Sequence, residues 1–275
     1  MNNTVKRSIS GLVFLAVVIG CLLTGKYPYA VLATLMMVTM LYEFYQMTME
    51  DRFPRTRIFA ILLGCCAFLS VFFIMAYRLD IRLAGIPAIL LLVLMVSTLM
   101  VKDKADFKLF AFLYTGLVYI AVPLTLSNFV VFDPAGQFDG RPMLSFLIII
   151  WASDVGAYCI GMLFGKYSRK LFPSVSPKKT WAGFWGGLGF AVLAGLILVW
   201  TGLWTYPWYH AVVLSLIMHV AGVFGDLFES QWKRVCEIKD SGDIIPGHGG
   251  MLDRFDSALF AIPAGVLYLV IIGLL

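Results

Sequence analysis

The residues best suited to chemistry lie in and just before a polar stretch near the end of the chain, residues 230–256. Asp226 precedes this stretch, and Asp253 and Asp256 lie close to its end, on the far side of a glycine-rich turn. Carboxylate oxygens suit Mg²⁺, which usually takes one or two of them and leaves its other positions to water and phosphate. Histidines and cysteines do not cluster here, which argues against zinc. The stretch therefore indicates a magnesium site that acts on phosphate groups.

Basic side chains accompany these carboxylates. Lys233 and Arg234 follow Asp226 within two helical turns, and Lys239 and Arg254 lie on either side of the turn. Cations beside a carboxylate-held metal can bind an anionic substrate and neutralise the charge that develops during phosphoryl-type transfer. The alternative is a solvated loop whose ion pairs only hold it together.

A further acid, Asp154, lies within an otherwise apolar run. Acids inside a membrane helix are costly and are functional by default, although an acid that serves only helix packing is the alternative. Together with Asp226 and Asp253, it predicts that carboxylates from three helices converge at one edge of the membrane.

A basic loop before the next apolar run predicts a phosphate-binding patch. Thr180 can cap the following helix, whose N-terminal amides attract anions, and Lys178 and Lys179 supply positive charge. Ordinary positive charge at a cytoplasmic helix end is the alternative. The glycines that follow are predicted to allow close helix packing, and they are Gly183, Gly186, Gly187 and Gly189.

The elements that position these residues are predicted to be membrane-spanning helices. The chain is 61% hydrophobic and 13% charged, with a mean hydropathy of +0.90, which indicates an all-α, polytopic membrane protein. A spanning helix needs roughly 20 apolar residues. Nine such spans are predicted, at residues 9–23, 28–45, 58–77, 81–101, 107–126, 143–164, 181–203, 209–228 and 259–275.

The distribution of Lys and Arg predicts the orientation of these spans. With a cytoplasmic N-terminus, every Lys and Arg falls on the cytoplasmic side except Lys26, Arg78, Arg82 and Arg141. The C-terminus is then on the outer side, and the polar stretch lies in the cytosol.

The chain is predicted to divide by function near residue 140. Residues 1–140 form about five scaffold spans with few polar residues. Residues 141–275 form the catalytic helices, with cytosolic loops at 165–180 and 229–256.

The polar stretch resembles the signature of the phosphatidate cytidylyltransferases, also called CDP-diacylglycerol synthases. The resemblance rests on Ser230, Lys233, Arg234, Lys239, Asp240 and Gly242, followed by Pro246, Gly247, His248, Gly249, Gly250, Asp253, Arg254 and Asp256. It is strongest from about residue 150 to the end. It implies the Mg²⁺-dependent conversion of CTP and phosphatidate to CDP-diacylglycerol and pyrophosphate, at the cytoplasmic face of a bacterial inner membrane. Family members have a two-metal centre at the aspartates that match Asp226 and Asp253, so a second metal ion is left open.

The residue patterns and the resemblance together predict roles for individual residues. The predicted catalytic residues are Asp226, Asp253, Lys233 and Arg254. The predicted substrate-binding residues are Lys178, Lys179, Thr180, Ser230, Arg234, Lys239, Asp240, His248, Gly249 and Gly250. The predicted metal ligands are Asp226, Asp253, Asp154 and Asp256. CTP, phosphatidate and the lipid bilayer are the expected partners, with no nucleic acid, and a homodimer is left open.

An ion-coupled transporter is the strongest alternative from another class, with Asp154 and Asp226 in its pathway. Such proteins tend to show repeated halves and helices broken at the midplane of the membrane. In this sequence no repeat is visible, and the acids lie towards one edge beside a charged loop. These features favour the enzyme.

Overall fold

Helices make up most of the computed structural model, which describes residues 3–242, 244 and 249–275. The helices are α1 (Asn3–Thr24), α2 (Lys26–Met49), α3 (Pro54–Tyr77), α4 (Gly85–Ser97), α5 (Lys104–Gly116), α6 (Val122–Val131), α7 (Arg141–Phe164), α8 (Trp181–Trp200), α9 (Trp208–Val235) and α10 (Leu252–Ile271). Two short strands, β1 (Lys170–Phe172) and β2 (Ser176–Thr180), form a hairpin between α7 and α8.

Most of these helices are long and apolar enough to cross a membrane. In the described part of the chain, eight helical runs meet this description, and Ser10–Thr24 is a shorter apolar helix. One of the eight joins α5 and α6 through a π-helical turn at Leu117–Ala121. Another joins α4 to short 3₁₀ segments on both sides, over Ile81–Met100. The predicted all-α, polytopic fold is confirmed.

Helices α9 and α10 extend further into polar sequence than the predicted spans did. Helix α9 continues to Val235 and α10 begins at Leu252, whereas the predicted spans ended at 228 and began at 259. Hydropathy ends a span where charged residues begin, but the backbone hydrogen bonds of a helix continue through charged residues. Asp226, Ser230 and Asp256 therefore project from helices.

The chain forms two compact units. The first comprises the chain up to Asp139 together with Ile238–Arg254, and the second comprises Gly140–Glu237 and Phe255–Leu275. Helix α10 begins in the first unit and continues in the second. The division into a scaffold part and a catalytic part stays a prediction.

The first unit has an aromatic core with buried hydroxyl groups. Tyr45 and Phe68 are fully buried. The Tyr45 hydroxyl donates to the carbonyl of Leu113 at 2.9 Å, and the Tyr29 hydroxyl lies 2.6 Å from Ser127 Oγ. Buried tyrosine hydroxyls usually find such partners because an unpaired one is costly.

In the second unit, α7 and α8 approach each other closely at glycines. A Cβ atom added at Gly187 would lie 2.9 Å from the carbonyl oxygen of Ser153, and one at Gly183 would lie 3.0 Å from that of Ala157. A Cβ atom at Gly186 would overlap the side chain of Ile160. The predicted packing role is confirmed for these three glycines.

Helix α10 contacts α9 at two further glycines of the second unit. A Cβ atom at Gly222 would lie 3.5 Å from Ser257 Cβ, and one at Gly225 would overlap the backbone of Asp256. Because neither glycine has a side chain, the backbone of α10 can lie beside α9 at the level of Asp226.

Candidate active site

Three acids from three helices of the second unit form a carboxylate cluster, namely Asp154 of α7, Asp226 of α9 and Asp256 of α10. Each of the three carboxylates interacts electrostatically with the other two. Like charges held this close repel one another, and a cation placed among them would relieve that repulsion. The cluster is therefore suited to binding a positive ion.

Lys179 supplies a cation to this cluster. Its Nζ lies 2.6 Å from Asp226 Oδ2, and the hydroxyl of Ser230 donates to Asp226 Oδ1 at 3.2 Å. The two side chains of the ion pair are only part-buried, at 25% exposure for Lys179 and 33% for Asp226. A ligand that approaches from solvent can therefore reach both groups.

The β-hairpin places the side chain of Lys179 next to the carboxylate cluster. Lys170 of β1 pairs with Thr180 of β2, and the amide of Trp181 donates to the carbonyl of Arg169 at 3.0 Å. Successive side chains of a strand point to opposite sides. Accordingly, Lys179 faces Asp226, whereas Lys178 is exposed.

Thr180 ends the hairpin and begins α8. It is the N-cap residue, and its Oγ1 accepts a hydrogen bond from the amide of Gly183 at 3.2 Å. The predicted cap is therefore present. Because Thr180 directly follows Lys179, the start of α8 determines the position of the Lys179 backbone and the direction of its side chain.

Lys233, about two helical turns beyond Asp226 on α9, contacts another acid. Its Nζ donates to Glu229 Oε2 at 2.7 Å, and the two side chains are 15% and 1% exposed. A buried acid is costly unless it is paired, so this contact helps to hold the charge of Glu229 inside the unit.

A second group of polar residues lies in the first unit, around Asp253. Asp253 Oδ2 accepts hydrogen bonds from the Ser241 amide at 2.9 Å, the Ser241 hydroxyl at 3.0 Å and the Gly250 amide at 2.9 Å. Gly249 has a φ of +85°, and a Cβ atom there would lie 2.9 Å from the same oxygen. The glycines of the motif thus let the backbone wrap around the Asp253 carboxylate.

Glu43 of α2 belongs to the same group, and the sequence reasoning missed it. Its Oε1 accepts from the amide of Met251 at 2.9 Å, and its Oε2 accepts from the amide of Leu252 at 2.8 Å. The sequence assigns span two to the scaffold because this span carries few polar residues. An acid within an apolar run was nevertheless a visible signal, of the same kind as Asp154.

The donor set of the carboxylate cluster fits Mg²⁺. The groups that meet there are carboxylate oxygens, which are hard ligands, and Mg²⁺ commonly binds protein through one or two of them. Among the described residues, no three His, Cys, Asp or Glu side chains are arranged to hold a metal ion by themselves. The remaining positions of a bound Mg²⁺ would thus be filled by water and substrate phosphate, as is usual for this ion.

Comparison with known proteins identifies the family. The profile of the family described as "Cytidylyltransferase family" matches residues 5–272. The chain belongs to the cytidylyltransferase family. It is 31% identical to the phosphatidate cytidylyltransferase of Bacillus subtilis strain 168 over 258 residues, which is 94% of each chain. It is 36% identical to a protein of the same name from Staphylococcus epidermidis (strain ATCC 12228) over 184 residues, covering 66% of this chain and 67% of the relative.

This cytidylyltransferase therefore presents its predicted site residues in two groups. The second unit brings together Asp154, Lys179, Asp226, Ser230 and Asp256. The first unit places Asp253 with Gly249 and Gly250. The exposed members of the predicted set are Lys178, Arg234, Lys239, Asp240 and Arg254. His248 lies outside the described residues, and the roles of all these residues stay predictions.

Proposed function

We propose that this cytidylyltransferase transfers the cytidylyl group of CTP to phosphatidate. A phosphate oxygen of phosphatidate attacks the α-phosphorus of CTP, and the bond from that phosphorus to the bridging oxygen of the β-phosphate breaks. Pyrophosphate leaves with the electron pair, and the product is CDP-diacylglycerol. Relatives named phosphatidate cytidylyltransferase, one of them matched over 94% of its length, support this choice of substrates.

The observation that carries the proposal is the contact of Lys179 with Asp226 beside two further carboxylates. A transfer between two phosphate-bearing substrates needs cations at the reacting phosphates. The carboxylate cluster can hold a metal cation, and Lys179 is an accessible cation at the same place. This combination supports phosphate chemistry more directly than it supports ion transport.

The nucleophile needs no general base in this reaction. The second pKa of a phosphate monoester is near 6, so phosphatidate is largely a dianion at about pH 7. The main obstacle is repulsion between two highly anionic substrates. His248 is accordingly proposed to bind a phosphate or stabilise its turn, and the basic side chains are proposed to offset the repulsion.

The proposed cofactor is Mg²⁺. Asp226 would hold it, helped by Asp154 or Asp256, and the remaining positions would go to water and substrate phosphate. Asp253 is proposed as a metal ligand on the family motif alone. Bound Mg²⁺ would polarise the phosphates and neutralise the negative charge that develops on them. On the basis of the family motif, a second metal ion is also left open.

Lys179 is proposed to bind a substrate phosphate, exchanging its contact with Asp226 for one with the ligand. Lys178, on the exposed side of the same strand, would add positive charge for incoming CTP. Further basic residues of the motif are proposed to serve the same purpose, and these are Lys233, Arg234, Lys239 and Arg254.

The reaction is proposed to take place at the cytoplasmic face of the bacterial inner membrane. The protein is a multi-pass membrane protein with bacterial relatives. The distribution of Lys and Arg favours a cytoplasmic location of the site, and CTP is available on that side. The acyl chains of phosphatidate would stay in the bilayer and enter sideways between helices of the second unit.

The test is to purify the protein and incubate it with labelled CTP, phosphatidate and Mg²⁺. We expect a labelled lipid product from the wild type and a loss of at least about a hundredfold in Asp226→Asn, because removing one partner of a charge-based contact to the reacting groups costs several kcal/mol. Glu237→Gln, a neutralised acid that is exposed just beyond α9, is the control and should stay active. Wild-type protein that folds but yields no labelled lipid would refute the proposed function, and an active Asp226→Asn would refute the metal assignment.

A further inference from the structure

Glu43 is buried inside the first unit, with 2% of its surface exposed. A buried carboxylate is costly unless hydrogen bonds satisfy it. Here the donors are the amides of Met251 and Leu252, at 2.9 and 2.8 Å. Both lie at the start of α10, where backbone amides have no partner within the helix and where negative charge is favoured. Glu43 therefore fixes the start of α10 to α2.

Ser241 connects Glu43 to Asp253. Its hydroxyl lies 3.5 Å from Glu43 Oε2 and 3.0 Å from Asp253 Oδ2, and its amide donates to the same Asp253 oxygen. One hydroxyl hydrogen can serve only one of the two carboxylates at a time. The two acids thus share one donor, and Ser241 links the surroundings of Glu43 to those of Asp253.

Two glycines of the family motif are packed against the Glu43 carboxylate. A Cβ atom at Gly242 would lie 2.8 Å from Glu43 Oε1, and one at Gly250 would lie 2.7 Å from Oε2. Both distances are shorter than Cβ atoms adopt, so the Glu43 carboxylate would have to move if either glycine carried a side chain. The backbone on both sides of the turn therefore packs against Glu43, which lies outside the family motif.

We infer that Glu43 is a positioning residue for cytidylyl transfer. Through the start of α10 and through Ser241, it holds the carboxylate of Asp253 in one orientation. This inference rests on the proposed function, because Asp253 matters to the rate only if its carboxylate serves the reaction. It assigns a role in the site to α2, which the sequence places in the scaffold.

The test is Glu43→Gln in the purified full-length enzyme, with Glu50→Gln as the matched control. Glu50 follows α2 directly and is exposed, so both variants remove one carboxylate charge from the same region. We expect Glu43→Gln to lower kcat about 10- to 100-fold, as is typical when a group that orients a metal ligand is removed. The KM for CTP should change less than kcat does, and Glu43→Asp should recover part of the lost activity.

A second measurement separates positioning from a general loss of structure. Hydrogen exchange at the amides of Met251 and Leu252 should quicken in Glu43→Gln, because these amides lose their acceptor. Peptides from α8 and α9 should exchange as they do in the wild type. If Glu43→Gln yields too little folded protein, Ser241→Ala provides the test, with a smaller fall in kcat and an unchanged KM for CTP.

Three results would contradict the inference. One is a kcat for Glu43→Gln equal to that of Glu50→Gln, and another is unchanged exchange at residues 251 and 252. The third is exchange that quickens in every helix together with activity that falls only with the amount of folded protein. An inactive wild type would instead overturn the proposed function, and the exchange at these two amides would still report whether Glu43 holds α10.

Discussion

At the scale of single residues, the contact between Lys179 and Asp226 does two things. It places a positive charge beside three carboxylates that otherwise repel one another, so it stabilises the cluster before any ligand binds. It also leaves Lys179 able to bind a substrate phosphate in place of Asp226, because both groups are anions. We therefore expect Lys179 to leave Asp226 and bind the substrate phosphate during turnover.

Neighbouring lysines on the same strand should differ in their effect on activity. In Lys179→Ala we expect the KM for at least one substrate to rise about 10- to 100-fold, because a hydrogen bond to a charged group contributes about 1.5–3 kcal/mol. Lys178→Ala removes the same charge from the exposed side of β2 and should raise KM by less. Steady-state kinetics with each substrate varied in turn would measure both. Equal KM values for the two variants would contradict the assignment of Lys179 to the site.

At the scale of elements, the interface between α7 and α8 determines the distance between the carboxylate cluster and the hairpin that carries Lys179. Asp154 lies on α7, and the strand that carries Lys179 leads directly into α8. Their separation is therefore governed by how closely the two helices pack. Glycines set that distance, since even a methyl group at Gly187 would contact the backbone of α7.

Two glycines of α8 give a matched pair of variants for this interface. Gly187→Ala should lower the free energy of unfolding by about 1–3 kcal/mol, the usual cost of overpacking. Gly189→Ala should be neutral or stabilising by about 0.5–1 kcal/mol, because alanine is the better helix former. In the described residues, nothing lies within 4 Å of a Cβ atom at Gly189, so its predicted packing role was wrong. Denaturation of both variants in detergent would measure the difference, and equal stabilities would contradict the close approach of α7 and α8.

The cap of α8 should also affect stability and activity together. Thr180→Ala removes the side-chain acceptor of the Gly183 amide, which typically costs about 1 kcal/mol. Because Thr180 follows Lys179 directly, the variant should also raise the KM. Thr115→Ala, which removes a hydroxyl bonded within its own helix, is the control and should have little effect on either quantity. A variant at Thr180 with normal stability would show that the cap contributes little.

At the scale of the whole molecule, the distribution of Lys and Arg predicts which loops face the cytoplasm. Single cysteines can test this in a variant whose five natural cysteines have been replaced. In intact cells, Ala135→Cys, in the exposed turn after α6, should react with a membrane-impermeant maleimide. Tyr167→Cys, 86% exposed before the hairpin, should react only after the cells are opened. The opposite result would reverse the proposed orientation.

The helices, and some of the contacts between the candidate site residues, could be predicted from the sequence. Apolar runs identify spanning helices because lipid forces the backbone to bond internally. Asp226 and Ser230 are four residues apart, a spacing that places both on one face of a helix, and the structure joins them by a hydrogen bond. Lys179 could be assigned to a basic loop but not to Asp226, because that contact depends on a hairpin whose polar strands have no apolar alternation.

Glu43 shows the limit of such reasoning more clearly. Its role depends on contacts with Ser241, Met251 and Leu252, which are about 200 residues away along the chain. Periodicity within a span shows which face of the helix is polar, but it does not show which residues contact that face. At their polar ends, the predicted spans stop short of α9 and α10 for a related reason, since hydropathy measures the lipid-facing part of a helix and not its length.

The distance along the chain between Glu43 and its partners has a consequence for biogenesis. The amide of Met251 is 208 residues from Glu43, so α2 is synthesised and inserted long before its partner leaves the ribosome. Until then, α2 carries a carboxylate whose final hydrogen-bond donors do not yet exist. The nascent first unit is thus completed only after Ile238–Arg254 has been translated. Ribosome stalling or truncation before residue 241 should leave an incompletely assembled protein that membrane proteases can recognise.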